Sequence, residues 1–262
     1  MPSWPEATNW PTGVNWPTGT NWPTGTNWPE GGGGPPPVVG PPSIISSVPV
    51  THWWRADLGI TLNAGNVSDW LDQVGGSVLA NAVPANQPPY NAADATLAGQ
   101  ATISFDGVND TLVVGNIAMP SPIFIAIVAK IPVQMNGSLY APPGGIVING
   151  HMLQLYLNNI YQSGAAANYN VTFDGIPPFG PWFRNYDRRH NTPQDYIKLA
   201  SQTKATGIAC QTSNVSGPWG LAFAGSYLGI SYREIVICAG EPTPAELTAL
   251  DAYFVAQGPI LV

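Results

Sequence analysis

From Ile44 to the end of the chain, short apolar runs alternate with clusters of Gly, Pro, Asn, Asp and Ser. That rhythm predicts strands joined by turns, at the spacing of a sandwich. The runs are Thr51–Arg55, Val67–Asp72, Thr102–Phe105, Thr111–Val114, Ile123–Ile131, Gly145–Asn149, Met152–Leu157 and Asn170–Phe173. Asp195–Ala200, Thr206–Gln211, Trp219–Phe223 and Ile230–Ile237 follow. Thr111–Val114 and Met152–Leu157 each have one more apolar face. Ile123–Ala129 is apolar throughout, as in a central strand covered on both sides. The one strong helix signal comes near the end. Thr243-Pro244-Ala245-Glu246 supplies an N-cap, a proline at the first helical position and an early carboxylate, and Leu247, Leu250 and Phe254 follow at helical spacing.

The first thirty residues follow a different rule. Trp4, Trp10, Trp16, Trp22 and Trp28 recur every six residues, each followed by Pro, and from Asn9 the unit reads Asn-Trp-Pro-Thr-Gly-Thr with Val14 as a variant. Repetition this regular marks an array rather than a packed domain. Proline holds the preceding Trp extended, and Trp-Pro-Thr-Gly suits a β-turn. No hexad has the apolar volume for a core of its own, so the tail is expected to gain order only by docking its indoles onto a partner. Residues 31–43, rich in Gly and Pro, read as a hinge and stiff spacer. The expected organisation is therefore a repeat tail over 1–30, a linker over 31–43 and one β domain over 44–262.

Composition narrows the partners. Charged residues are 9% of the 262 and the net charge is −7, with only eight Lys and Arg. Phosphate backbones and anionic membranes need clustered cations, so neither nucleic acid nor a membrane surface is expected. No apolar run approaches the roughly 20 residues of a membrane-spanning helix. The opening Met1–Glu6 lacks the basic and apolar regions of a secretory signal, which points to synthesis in a cytoplasm. Cys210 and Cys238 each sit in an apolar run and read as buried thiols. Sequons begin at Asn66, Asn109, Asn136, Asn170 and Asn214, and in a chain read this way they are expected to carry no glycans.

Several landmarks occur in a set order: Trp53-Trp54-Arg55-Ala56-Asp57, then Val67-Ser68-Asp69-Trp70-Leu71-Asp72, then Ile103-Ser104-Phe105-Asp106-Gly107-Val108-Asn109-Asp110. Tyr232-Arg233-Glu234-Ile235-Val236-Ile237 and Pro242–Leu247 close it. In this arrangement the chain resembles the concanavalin A-like, laminin-G-like jelly-roll domains, of the kind found in phage virion surface proteins. The resemblance implies an all-β jelly-roll sandwich with a short C-terminal helix, and says little about ligand.

Candidate chemistry is sparse. Glycan-cleaving proteins of that fold carry alternating acidic residues on one strand face, with retaining hydrolysis needing two carboxyls about 5 Å apart. Asp69 and Asp72 are three apart, Glu234 stands alone, and Glu241 and Glu246 belong to the terminal turn and helix. No catalytic residue is therefore assigned. Asp106, Asn109 and Asp110 could ligate calcium, but read better as a backbone-bonding turn, like Asp57 and Asp72. No cofactor is expected. The segment Phe179–Asn191 is the one charge-dense stretch and is read as a loop. Trp182 and Tyr186 offer stacking platforms there, with Asn185, Asp187, Arg188 and Arg189 as polar contacts, for a glycan or a protein. The resulting expectation is a non-enzymatic structural protein of a virion, such as a capsid decoration, head-fibre or tail adhesion protein. Trp4, Trp10, Trp16, Trp22 and Trp28 would anchor it to other virion proteins, and it would assemble as a homo-oligomer, a trimer most naturally. The alternative is an adhesin for host glycans.

Overall fold

The computed structural model describes residues 40–119, 122–131, 137–141, 152–156, 159–163, 168–172, 180–189, 196–205, 215–221 and 229–262. The Trp repeat, Cys210 and the expected strands Gly145–Asn149 and Thr206–Gln211 lie outside them. In chain order come α1 (Pro41–Ile44), β1 (Val50–Arg55), β2 (Ile60–Asn63), β3 (Asn66–Leu71), β4 (Val78–Ala80), β5 (Tyr90–Asp94) and β6 (Gln100–Asp106). Next are β7 (Leu112–Met119), β8 (Ile123–Lys130), β9 (Gly137–Ala141), β10 (Met152–Tyr156), β11 (Asn159–Ser163) and β12 (Asn168–Thr172). The chain ends with β13 (Trp182–Arg189), β14 (Tyr196–Leu199), β15 (Gln202–Ala205), β16 (Val215–Leu221), β17 (Gly229–Cys238), α2 (Pro244–Val255) and β18 (Ile260–Leu261).

Among the described residues these strands make two nine-stranded sheets. The first runs β15-β14-β13-β8-β17-β6-β5, with β1 paired to β17 and β18 to β13. The second runs β12-β11-β10-β9-β16-β7-β4-β3-β2. Pairing is antiparallel except between β13 and β18. The fold is an all-β sandwich with a short C-terminal helix, as the alternation of apolar runs and turns predicts.

Two apolar layers explain the burial. Between the sheets lie Trp54, Ile103, Ile125, Ile127, Phe183, Ile197, Leu199, Tyr232, Ile235 and Ile237 from the first sheet, facing Trp70, Leu79, Leu112, Val114, Trp219 and Leu221 from the second. A further layer on the other face of the first sheet joins Trp53, Phe124, Ala126, Val128, Trp182, Tyr186 and Val236 to Leu250 and Phe254 of α2. The β8 strand therefore buries both of its faces, which is why its sequence shows no alternation.

Local chemistry sets the connections. Ala64 and Gly65 both have positive φ, 51° and 90°, giving the tight two-residue turn that the twist of a hairpin favours between β2 and β3. At α2, Thr243 Oγ1 accepts from the Glu246 N–H, and Glu246 returns the bond to the Thr243 N–H at 2.9 Å, the reciprocal cap expected from the sequence. The same Glu246 carboxylate also accepts from the N–H groups of Ser46 and Ser47, at 2.7 and 2.8 Å. The folded unit thus takes in more than expected. The turn α1 packs near α2, and Gly40 lies so close to Trp53 that a Cβ there would overlap the indole. Residues 40–43 accordingly belong to the sandwich rather than to the linker.

Candidate functional site

The segment expected to be a binding loop is β13, an interior strand between β8 and β14. This corrects the sequence reading. Its charges disguise a strand because both faces are covered and Arg184 and Arg188 are paired within the fold. Trp182, Arg184, Tyr186 and Arg188 face the α2 side, while Phe183, Asn185 and Asp187 face the opposite sheet. Arg184 is fully buried. Its guanidinium donates to the Ala200 carbonyl at 2.9 Å and to Asp251 at 3.1 Å, and lies 4.1 Å over the Tyr186 ring. Tyr186 Oη donates to Asp251 at 2.7 Å; burial pushes that phenol far above its ordinary pKa. Arg188 pairs with Glu241 at 2.6 Å, and Tyr196 donates to the same carboxylate. Trp182 donates its indole N–H to Thr96. Arg189 ends the strand opposite Ile123. Trp182 and Tyr186 are thus core groups and offer no exposed platform to a sugar ring.

A second buried polar group sits beside it. In β17 the register slips between Tyr232 and Glu234, a bulge that turns Arg233 and Glu234 away from the inter-sheet core. Glu234 accepts from Trp53 Nε1 at 2.6 Å, Tyr253 Oη at 3.0 Å and Gln257 Nε2 at 2.8 Å. Burial raises its pKa, and the Gln257, Trp53 and Tyr253 hydrogen bonds with the Arg233 charge only partly offset that. Arg233 donates to Gln257, Asp57 and Gln100. Burial alone would raise Asp57, but the Arg233 and Arg55 guanidiniums outweigh it and hold the carboxyl below its usual range. These groups fasten α2 and the C-terminal turn to the sheet.

The exposed end of the sandwich is organised by amides. Asn63 Nδ2 donates to Gln87 Oε1 at 3.0 Å, and Gln87 Nε2 donates to the Asn81 carbonyl at 2.6 Å. Asn81 Nδ2 reaches the carbonyls of Asn86 and Thr111, at 3.1 and 2.9 Å. Asn109 Nδ2 donates to Ala85 O and Asn86 Oδ1. In the neighbouring turn, Asp106 Oδ1 accepts from the N–H groups of Val108, Asn109 and Asp110, while Asp110 Oδ2 accepts from Asp106 N–H. Those backbone bonds outweigh burial and lower the Asp106 pKa; burial and the Asp106 charge raise that of Asp110. The carboxylates face backbone donors, the arrangement of a structural turn. Among the described residues no group of three or more His, Cys, Asp or Glu converges as a metal site. The network fixes three loops and leaves Val83 (52% exposed), Val108 (69%) and Leu62 (47%) in solvent.

Asn81, Gln87 and Asn63 were not singled out from the sequence, although the Asn- and Gln-rich stretch 81–91 carries the signal. At the far end of β1, Asp72 accepts from His52 and from the N–H groups of Trp53, Val74 and Gly75, the backbone-bonding role expected of it.

No family model matches the chain, and no curated protein does. Solved structures do share its fold. A sialidase from Trypanosoma rangeli superposes with a TM-score of 0.51 at 12% identity, over 81% of this chain and 35% of that one. An arabinofuranosidase gives 0.51 at 13% identity, over 83% of this chain and 61% of that one. The chain thus spans about a third of the sialidase and under two thirds of the arabinofuranosidase. At such identity the likeness shows a shared β-sandwich.

Proposed function

We propose that this chain is a non-enzymatic structural protein of a virion: a capsid decoration, head-fibre or tail adhesion protein that carries a lectin-like sandwich on a Trp-anchored tail. The observation that carries the proposal is the five-fold Trp-Pro hexad followed by a Gly- and Pro-rich spacer. Evenly spaced indoles have large contact area and an N–H handle, and repetition multiplies weak contacts into avidity. The sandwich complements that role. Its buried arginines and carboxylates hold its own elements together, and its exposed loop end is pre-organised by hydrogen bonds and tipped with Val83 and Val108. Such a surface suits contact with other proteins, including copies of the chain in a trimer, on the virion surface after synthesis in the host cytoplasm. Deleting residues 1–30 is expected to abolish incorporation into particles while leaving the sandwich folded. Unchanged incorporation of the truncated chain, scored by immunoblot of purified particles, would remove the basis for the anchor.

A second reading is an adhesin for host glycans. It is favoured by sugar-bound proteins of the same fold: the arabinofuranosidase holds arabinofuranosyl-α-1,2-xylobiose, and a T. rangeli sialidase with a TM-score of 0.52 holds 2,3-difluoro-KDN. A glycan array probed with the full chain tests it, and silence at millimolar sugar counts against it. Because Trp182 is buried, Trp182→Ala would report on folding and cannot serve as a sugar-contact control.

A further inference from the structure

Residues 40–48 are fastened to the sandwich differently from the rest of it. Their internal hydrogen bonds run between Gly40 and Ser43 and from the Ile45 N–H to the Pro41 carbonyl at 2.8 Å. Among the described residues, every other hydrogen bond they make converges on one surface carboxylate. Glu246 Oε1 accepts from the Ser46 N–H at 2.7 Å, the Ser46 hydroxyl at 3.0 Å and the Ser47 N–H at 2.8 Å; Oε2 accepts from the Ser47 hydroxyl. The next residue is anchored elsewhere. Pro49 accepts from the Ala239 N–H at 2.9 Å, and from Val50 the chain is paired with β17. Apolar attachment is modest: Ile45 is buried, Ile44 and Val48 are half-buried, and Gly40 lies against the Trp53 indole. A cleft of about 390 Å³ opens along Pro42 and residues 45–50. A segment with no ladder bonds, few buried side chains and one water-accessible acceptor belongs to the part of a protein that opens before the core does.

We propose that residues 40–48 are a strap that opens as one unit while the sheets stay folded, with Glu246 as its catch and Pro49 as its hinge. Its role rests on the reading of the chain as tail-anchored. Tension arriving from the tail enters at Gly40 and meets this catch before it meets the ladder between β1 and β17. Opening frees nine residues, an extended reach of at most about 30 Å. The catch holds its charge at any ordinary pH. The Ser47 hydroxyl and the Ser46 and Thr243 N–H groups pull the Glu246 carboxyl far below the usual carboxylate range.

Amide hydrogen exchange on the full chain tests this without any particle. The bonded N–H groups of Ser43, Ile45, Ser46 and Ser47 should share one protection factor, about a hundredfold below that of the β8 amides. Glu246→Gln should speed all four together, by about tenfold, and leave β8 unchanged. Gly40→Ala works from the other end, because its Cβ would overlap the Trp53 indole, and should speed the same four. Thr243→Ala weakens the helix cap alone and should leave them as they are. Four unequal protection factors in the parent chain overturn the unit, and exchange as slow as that of β8 overturns the opening. Equal acceleration by Thr243→Ala and Glu246→Gln assigns the effect to the cap and overturns the catch. The parent-chain measurement stands even where a variant fails to fold. It is also separate from the anchor: unchanged particle incorporation of the chain lacking residues 1–30 would remove the tether role and leave the strap.

Discussion

Asp72 shows how one buried carboxylate can fix a local structure. Burial alone would raise its pKa, but the His52 bond and the N–H groups of Trp53, Val74 and Gly75 outweigh that and hold it below its ordinary range. A depressed carboxyl contributes stability that is present above the unfolded-state pKa and is lost as the pH falls through the folded one. Unfolding midpoints in urea are therefore expected to drop as the pH is lowered below about 4. Asp72→Asn should cost about 2 kcal/mol at neutral pH and flatten that acid limb. An unchanged limb in the variant would assign the acid sensitivity elsewhere. Ala64 makes the opposite case. An alanine at φ 51° sits where a Cβ is disfavoured, so Ala64→Gly should raise stability by about 0.5–1 kcal/mol, read from the same midpoints.

At the scale of elements, α2 is held by two kinds of interaction with different origins. Its cap is local: Thr243→Ala is expected to cost about 1 kcal/mol in urea unfolding. Its seat on the sheet is tertiary. Glu234→Ala leaves the indole N–H of Trp53 and the Gln257 amide without their carboxylate acceptor, and should cost about 3 kcal/mol in the same measurement. The β17 bulge that aims Glu234 outward is legible in retrospect. Apolar positions 230 and 232 share one phase, while 235 and 237 share the other, so the period of two breaks once between them. The β13 strand carried no such warning. Its Trp-Phe-Arg-Asn-Tyr-Asp-Arg-Arg sequence resembles a solvated loop until Asp251 and Glu241, more than fifty residues away, neutralise Arg184 and Arg188. Strand pairs and capping boxes depend on near neighbours. A buried ion pair depends on a partner that only folding brings close.

For the whole molecule, the proposed role predicts association. Sedimentation of the full chain at micromolar concentration is expected to show a trimer, with the chain lacking residues 1–30 still folded by circular dichroism; a monomer throughout would argue against self-assembly. Several things were determined by the sequence alone: the all-β class, the central position of β8, the α2 cap and the repeat tail. Each follows from an alternation of apolar runs and turns, an unbroken apolar run, a local cap or a repeat of six, patterns written within a few residues. The tertiary structure decided the rest. It turned the expected binding loop into a core strand, made Arg233 and Glu234 members of a buried polar group, and tied Asn63, Asn81, Gln87 and Asn109 into one loop end. Those assignments depend on which distant groups meet, because a charge or amide is costly to bury until a partner arrives, and local sequence does not name the partner.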